Sequence, residues 1–251
     1  TSRKIRSVQS LEALGAEVLI GSADVVDEPA MRAVVEEAVR RFGRIDGVVH
    51  AAGIAGGGMI QLKKREVAAS VLAPKIVGTQ VLERVLEGQP LDFMLLCSSL
   101  TGVLGGVGQV DYCGANAYLD AFAAHHAAAT GTFTVSVNWN AWREVGMAVD
   151  TDIPEGLKDT LRGSMLATGI SNKQGVDAFF RILTHVQDSQ VALSPLDVDV
   201  FGTVLNEREA TQPGSEDQVS ADSGPRQQQK VHPRPNLQTP YEAPASKTQQ
   251  Q

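Results

Sequence analysis

The 251-residue sequence lacks several features that mark whole classes of protein. It has only two cysteines, Cys97 and Cys113, and neither lies in a C-x-x-C pair, which argues against a zinc site or a disulfide framework. No apolar run is long enough to span a bilayer, and no segment resembles a signal peptide. These absences predict a metal-free protein with no membrane partner, in a reducing, cytoplasmic compartment.

Clusters of basic residues are also missing. The formal net charge is −7, and the lysines and arginines are not gathered in runs. Nucleic-acid binding needs a basic surface that neutralises phosphates, so the charge pattern argues against nucleic acid as a main partner. The chain is nevertheless 43% hydrophobic, which is enough to form the core of one sizeable domain.

Apolar runs alternate with helical patterns along the first four fifths of the chain. Runs that indicate strands cover 16–24, 45–53, 91–99, 132–140 and 190–195. Helical periodicity covers 28–43, 65–88, 108–122 and 172–186. Pro74 is expected to divide the helix over 65–88 into two pieces. This alternation predicts an α/β fold with a Rossmann-like, doubly wound parallel sheet, whose ligands bind at the carboxyl ends of the strands.

The composition changes after residue 205. Residues 206–251 are rich in glutamine and proline, and they contain few sizeable apolar side chains: Val219, Val231, Leu237 and Tyr241. Such a segment cannot bury enough apolar area to offset the entropy of ordering it. We therefore predict a folded domain over 1–205 and a disordered linker over 206–251 that tethers a further segment.

Four polar residues stand out against this framework: Lys75, Ser99, Tyr112 and Asn116. Each has an ordinary explanation, as a surface lysine, a serine that caps a strand, a half-buried tyrosine or an asparagine bonded within its helix. Tyr112 and Asn116, however, lie one helical turn apart and so share one face of their helix. Single short motifs misfire often, so only the combination supports a functional interpretation.

Together these residue types suit the reduction of a ketone. Hydride transfer creates an alkoxide that must be protonated, and the Tyr112 phenol could supply the proton. The ordinary pKa of a phenol is about 10, and the Lys75 ammonium is expected to lower it. The Ser99 hydroxyl could hydrogen-bond the carbonyl oxygen, and Asn116 could help to hold a water that resupplies the proton.

This pattern resembles the short-chain dehydrogenase/reductase superfamily and, more narrowly, the ketoreductase domain of modular type I polyketide synthases. Many reductases of the superfamily carry Y-x-x-x-K, whereas here Asn116 stands in place of that lysine and Lys75 lies upstream in "APKIVGTQVLERVL". This exchange is typical of the polyketide ketoreductases. The blocks "DGVVHAAG", "LCSSLTGVLGGVGQVDYCGANAYLDAF" and "VNWNAW" also resemble that family, in the same order, and the similarity covers residues 1–205.

The resemblance implies NADPH-dependent reduction of a β-ketoacyl chain to a β-hydroxyacyl chain. Tyr112 would donate the proton and Ser99 would orient the ketone, while Lys75 and Asn116 would complete the proton relay. The cofactor would contact Asp24, Val25, His50, Ala51, Ala52, Gly53, Lys75, Tyr112 and Asn138. The partners would be an acyl carrier protein, which presents the substrate on phosphopantetheine, and other domains of the same synthase. The linker over 206–251 would lead toward a carrier-protein domain.

One block of the family has no counterpart in this sequence. The glycine-rich phosphate loop of the family follows its first strand, and "GIAGGGM" at 53–59 stands in the wrong place for that turn. The sheet is therefore expected to lack its first two strands and to be incomplete at its N-terminal side. In the family's strand order, 3-2-1-4-5-6-7, the predicted strand over 16–24 then loses its usual neighbour. Its backbone groups would be unpaired or would pair elsewhere.

The missing loop leaves a rival interpretation open. The chain could be a non-catalytic structural or carrier-docking remnant of such a module, although the complete set of four polar residues favours catalysis. The simplest expectation is that the native protein continues in both directions. Residues 144–169 fall where the family has a mobile lid, and Met147 and Met165 could either line an acyl path or pack in the core.

Overall fold

A computed structural model describes residues 2–150 and 169–195 of the chain. The helices are α1 (Ser2–Ala13), α2 (Glu28–Phe42), α3 (Arg65–Val85), α4 (Thr101–Leu104), α5 (Val110–Thr130), α6 (Met147–Asp150) and α7 (Asn172–His185). The strands are β1 (Gly47–His50), β2 (Phe93–Ser99), β3 (Phe133–Trp139) and β4 (Gln190–Ala192). The alternation of strands and long helices confirms the predicted α/β class.

The four strands form one parallel sheet in the order β1-β2-β3-β4. Parallel strands end at a common edge, and the register places His50 beside Leu96 and Ser99 beside Trp139. The loops that follow β1, β2 and β3 therefore meet at one edge of the sheet. This is the Rossmann-like arrangement that the sequence pattern predicts.

The sheet separates two apolar cores. Met94 and Leu96 of β2 belong to a core with Val81 of α3 and Leu119 of α5. Leu95, between them, belongs to a second core that includes Val135 and Val137 of β3 and Ile182 of α7. Because alternate side chains of β2 enter different cores, this strand is apolar almost throughout, as a strand covered on both faces should be.

The predicted strand over 16–24 is wrong, because these residues form no strand. Within the described residues, β1 pairs only with β2, so the sheet offers this segment no neighbour. The chain just beyond it packs instead against α3, where Gly78 makes room for Val25. A Cβ atom at Gly78 would lie 2.7 Å from Val25 Cγ1. This outcome agrees with the expectation that the segment loses its usual partner.

The predicted break at Pro74 is also wrong, because α3 runs through the proline without interruption. A proline in a helix interior removes one backbone hydrogen bond and costs about 3 kcal/mol. Val71, Lys75 and Gly78 lie on one face of α3 around the proline, and all three are buried. Tertiary burial of this face offsets the local cost, as it does for most helices in proteins.

Other predictions fall outside the described residues. These are the linker over 206–251, its boundary with the domain over 1–205, and the position of Met165. Within the described ranges, no helix has both the length and the apolar character needed to cross a membrane. The same residues contain no group of three or more histidine, cysteine, aspartate or glutamate side chains that could hold a metal ion.

Candidate active site

A cavity of about 770 Å³ lies at the carboxyl end of the sheet. Lys75 of α3, Ser99 at the end of β2 and Tyr112 in the first turn of α5 all line it. The wall also includes Ala51, Gln109, Trp139, Trp142, Met147 and Phe179. The fold thus brings together three of the four predicted catalytic residues, which come from three different elements.

Lys75 is held inside the protein and is only 2% exposed. Its Nζ donates a hydrogen bond of 2.6 Å to the backbone carbonyl of Cys97 in β2, which ties α3 to the sheet. Burial disfavours the charged form and lowers the pKa of Lys75 to about 8, against weaker attraction from Cys97 and Asp120. An ammonium that can lose its proton near neutral pH is suited to proton transfer.

Tyr112 departs from expectation in its electrostatics. The sequence-based prediction is that the Lys75 ammonium lowers the pKa of the phenol. Burial instead raises the pKa of Tyr112, while hydrogen bonds with the side chains of Asn116 and Ser99 act in the lowering direction. The Lys75 ammonium is directed at the Cys97 carbonyl. Tyr112 therefore remains protonated at neutral pH, which is the form that can donate a proton.

Asn116 and Ser99 surround Tyr112 in different ways. Asn116 is fully buried, and its Nδ2 donates a hydrogen bond of 2.7 Å to the Tyr112 backbone carbonyl. Its Oδ1 finds no hydrogen-bond partner among the described residues. The Ser99 hydroxyl accepts hydrogen bonds from Thr101, at 3.3 Å from its backbone nitrogen and 3.0 Å from its Oγ1. A buried amide oxygen without a partner is unusual, and Asn116 Oδ1 therefore suits the predicted role of holding a water.

Residues 50–53, predicted to contact the cofactor, lie where β1 ends beside Lys75. Ala51 lines the cavity, and Ala52, which follows it, is half-buried. Gly53 makes the close approach possible, because a Cβ atom there would lie 3.1 Å from Lys75 Cε. His50 is 3% exposed, and the charge of Lys75 acts directly on it. The predicted cofactor residues of this segment are thus grouped around the candidate catalytic lysine.

The other predicted cofactor residues occupy different places. Asp24 is exposed, where its Oδ1 accepts a hydrogen bond from the backbone of Val26, and Val25 packs on α3. Asn138 is fully buried. Its Nδ2 donates to Asp120 at 2.9 Å and its Oδ1 accepts from Gln190 at 2.9 Å. The amide of Asn138 is therefore used within the protein, and the cofactor contacts of Asp24, Val25 and Asn138 stay predictions.

His50 has an unusual environment for a histidine. Burial and the nearby Lys75 charge lower the pKa of His50 to about 4, although a hydrogen bond with the Pro74 carbonyl acts in the opposite direction. Its Nε2 has no partner among the described residues. The ring is therefore neutral at physiological pH.

We expect the acid sensitivity of the fold to depend on His50. Because its folded pKa lies below the unfolded value of about 6.5, the folded state loses stability as the pH falls from 6.5 toward 4. The loss amounts to about 3 kcal/mol at about 1.4 kcal/mol per pKa unit. Urea denaturation should show that the free energy of unfolding of the wild type, relative to that of His50→Gln, falls by this amount between pH 7 and pH 4. His125→Gln, which replaces an exposed histidine, is the control. An equal loss of stability on acidification in the wild type and in His50→Gln would contradict the prediction.

The sequence does not predict which aromatic rings form part of the cavity wall. The rings of Trp139 and Trp142 have centroids 5.2 Å apart and form an aromatic part of the wall. Trp142 also pairs with Ile170, and Gly175 of α7 provides the space for its ring. Met147 lines the cavity, in agreement with one of the two alternatives for the methionines. The motif "VNWNAW" draws attention to this strand end, but its spacing does not reveal which rings enter the cavity.

Comparison with known proteins agrees with this geometry. The KR domain family matches residues 1–144. The chain is 34% identical over 161 residues to polyketide synthase PksL of Bacillus subtilis (strain 168). This match covers 62% of this chain and 4% of that protein. It is 35% identical over 191 residues to the pikromycin polyketide synthase component PikAIII of Streptomyces venezuelae, covering 76% of this chain and 12% of that protein. The chain thus spans only a small part of these relatives.

A solved structure supports the same assignment. The crystal structure of a ketoreductase domain from the bacillaene assembly line is 31% identical, with a TM-score of 0.69. The match covers 83% of this chain and 49% of that one. The order of motifs, the parallel sheet and the family match over residues 1–144 lead to one conclusion. This chain belongs to the KR domain family of the polyketide synthases.

Proposed function

We propose that residues 1–205 form a ketoreductase domain that reduces a β-ketoacyl chain to a β-hydroxyacyl chain. The substrate would be carried on the phosphopantetheine arm of an acyl carrier protein, in polyketide or fatty-acid-like biosynthesis. The observation that carries the proposal is that Lys75, Ser99 and Tyr112 line a single cavity. Residues 206–251 would link this domain to other domains of a cytoplasmic synthase.

Each of these side chains has a separate task in the proposed reaction. The Ser99 hydroxyl would hydrogen-bond the ketone oxygen and hold it close to Tyr112. Tyr112 would give its hydroxyl proton to that oxygen as negative charge develops there. Lys75 can exchange a proton near neutral pH, and Asn116 would hold the water through which the phenol is reprotonated.

The residues around Lys75 fit a nicotinamide cofactor. Ala51 and Lys75 line the cavity and would hold it, with His50 and Gly53 close to Lys75. NADPH supplies the hydride when it is bound. The mostly apolar wall, with Trp139 among its residues, suits the acyl chain of the substrate and would exclude water from the reacting atoms.

A second function is favoured by one specific observation. Residues 16–24, predicted as a strand that ends at the candidate cofactor residue Asp24, form no strand in the sheet. A chain without this strand could serve as a non-catalytic structural or carrier-docking part of a synthase. The two functions differ in one measurable property, which is the ability to bind NADPH.

We expect the 251-residue chain to bind NADPH saturably, as seen by the fluorescence of the reduced nicotinamide. Addition of acetoacetyl-N-acetylcysteamine, a thioester that mimics the end of phosphopantetheine, should then consume NADPH and yield the 3-hydroxybutyryl thioester. A parallel titration with NADH tests the cofactor preference. A chain that binds neither cofactor and leaves the thioester unchanged would support the non-catalytic function instead.

A further inference from the structure

A buried ion pair lies next to Tyr112 and takes no part in the proposed chemistry. The Lys63 Nζ lies 2.6 Å from Asp111 Oδ2, and the two side chains are only 5% and 1% exposed. The same Nζ donates a hydrogen bond of 2.8 Å to the backbone carbonyl of Gly57. The second oxygen of Asp111 accepts a hydrogen bond of 2.9 Å from the backbone nitrogen of Tyr112. Lys63 and Asp111 thus connect two separate segments of the chain.

The first of these segments is the loop that follows β1, which we call the 53–64 loop. Its residues Ala55 and Gly56 form part of the cavity wall. The loop lies directly on the start of α5, because a Cβ atom at Gly56 would lie 2.6 Å from Asp111 Oδ1 and 2.8 Å from Tyr112 Cβ. Only a residue without a side chain permits this approach. The loop is therefore packed against Tyr112 itself.

The second segment is the first turn of α5, which contains Asp111 and Tyr112. A carboxylate in the first turn of a helix is favourable, because it faces the positive end of the helix dipole and unpaired backbone N–H groups. Asp111 uses one oxygen for this purpose and the other for Lys63. A buried ion pair contributes little net stability, but it specifies which groups meet, because a buried charge without its partner is costly.

We propose that Lys63 and Asp111 are positioning residues for Tyr112. Their ion pair fastens the 53–64 loop to the first turn of α5 and so holds the Tyr112 hydroxyl at the cavity. This inference rests on the proposed function of Tyr112 as the proton donor. Misplacement of a reacting group by about 1 Å can reduce a rate by about a hundredfold, so a loose loop should be evident in turnover.

The test uses the full 251-residue chain and the double variant Lys63→Met/Asp111→Asn. The double variant removes both charges together, and asparagine retains an oxygen that can accept from the Tyr112 nitrogen. With NADPH and acetoacetyl-N-acetylcysteamine, we expect kcat to fall by about a hundredfold with little change in KM. Hydrogen exchange of the amides in the 53–64 loop should become faster, whereas β2 and β3 should remain protected. Lys64→Met is the matched control, because Lys64 adjoins the pair but is exposed.

Each outcome of this experiment has a definite meaning. An unchanged kcat, or a raised KM alone, would overturn the positioning role. Faster exchange throughout β2 and β3 would make the pair a general structural element and would also overturn it. A wild-type chain that does not reduce the thioester refutes the proposed function, and with it the role at Tyr112. In that case, hydrogen exchange still decides whether the ion pair holds the 53–64 loop.

Discussion

Tyr112→Phe is expected to abolish the reduction of acetoacetyl-N-acetylcysteamine while the chain continues to bind NADPH. The substitution removes one oxygen atom and leaves the aromatic ring in the cavity wall, so the cavity keeps its shape. A positioned general acid contributes a factor of about 10² to 10⁴ to the rate, and kcat should fall by that factor. The measurement is steady-state consumption of NADPH, together with a fluorescence titration of cofactor binding.

Tyr118→Phe provides a matched control on the same helix. Its hydroxyl accepts a hydrogen bond of 3.1 Å from Gln80, and the ring packs against the core that contains Phe122. Loss of this hydroxyl should leave kcat unchanged, because Tyr118 does not line the cavity. Equal turnover by wild type and Tyr112→Phe would refute the assignment of the proton donor.

Lys75→Met is expected to remove turnover and to change how stability depends on pH. Methionine has a similar length but cannot donate to the Cys97 carbonyl or exchange a proton. We expect a loss of kcat of at least about a hundredfold, as for other groups in proton transfer. This variant should also reveal the burial cost of the wild-type ammonium, because the methionine side chain carries no charge at any pH.

The sign of the pH effect follows from the lowered pKa. Lys75 titrates at about 8 in the folded chain, and the unfolded value is about 10.5. Between these values the unfolded state holds one more proton, so the wild type gains stability as the pH rises. The gain is about 3 kcal/mol, at about 1.4 kcal/mol per pKa unit. Urea denaturation at pH 7 and pH 10 should show that the free energy of unfolding of the wild type rises by this amount relative to that of Lys75→Met. Relative to Lys64→Met, which replaces an exposed lysine, it should not change.

Much of the fold could be predicted from periodicity alone. The runs over 91–99 and 132–140 correspond to β2 and β3, since strands covered on both faces are apolar almost throughout. The run over 16–24 has the same local character but forms no strand, because a strand exists only where a neighbour accepts its hydrogen bonds. At Pro74 the prediction fails in the opposite direction. The proline predicts a break in the helix, but tertiary burial keeps α3 continuous.

The candidate site was predictable where chemistry determines the residue type. Lys75, Ser99 and Tyr112 could be identified because ketone reduction needs those groups, and they do line one cavity. Lys63 and Asp111 carry no such signal. They stand 48 positions apart, and each resembles a solvent-exposed charge until the fold buries them together. The electrostatics of Tyr112 could not be predicted either, because the direction of its pKa shift depends on burial.

The alternation of β2 between two cores has a consequence for the neighbouring serines at its end. Ser98 lies on the same side of β2 as Met94 and Leu96. Its hydroxyl donates to the Asn116 backbone carbonyl and accepts from Asn138. Ser99 lies on the same side of β2 as Leu95, and its hydroxyl accepts from Thr101 and also forms a hydrogen bond with the side chain of Tyr112. Both serines line the cavity, but the Ser98 hydroxyl is used in internal hydrogen bonds, whereas the Ser99 hydroxyl lies beside Tyr112. A shift of one residue between β2 and β3 would turn each serine to the opposite face of the sheet, so the register that pairs Ser99 with Trp139 keeps the Ser99 hydroxyl beside Tyr112.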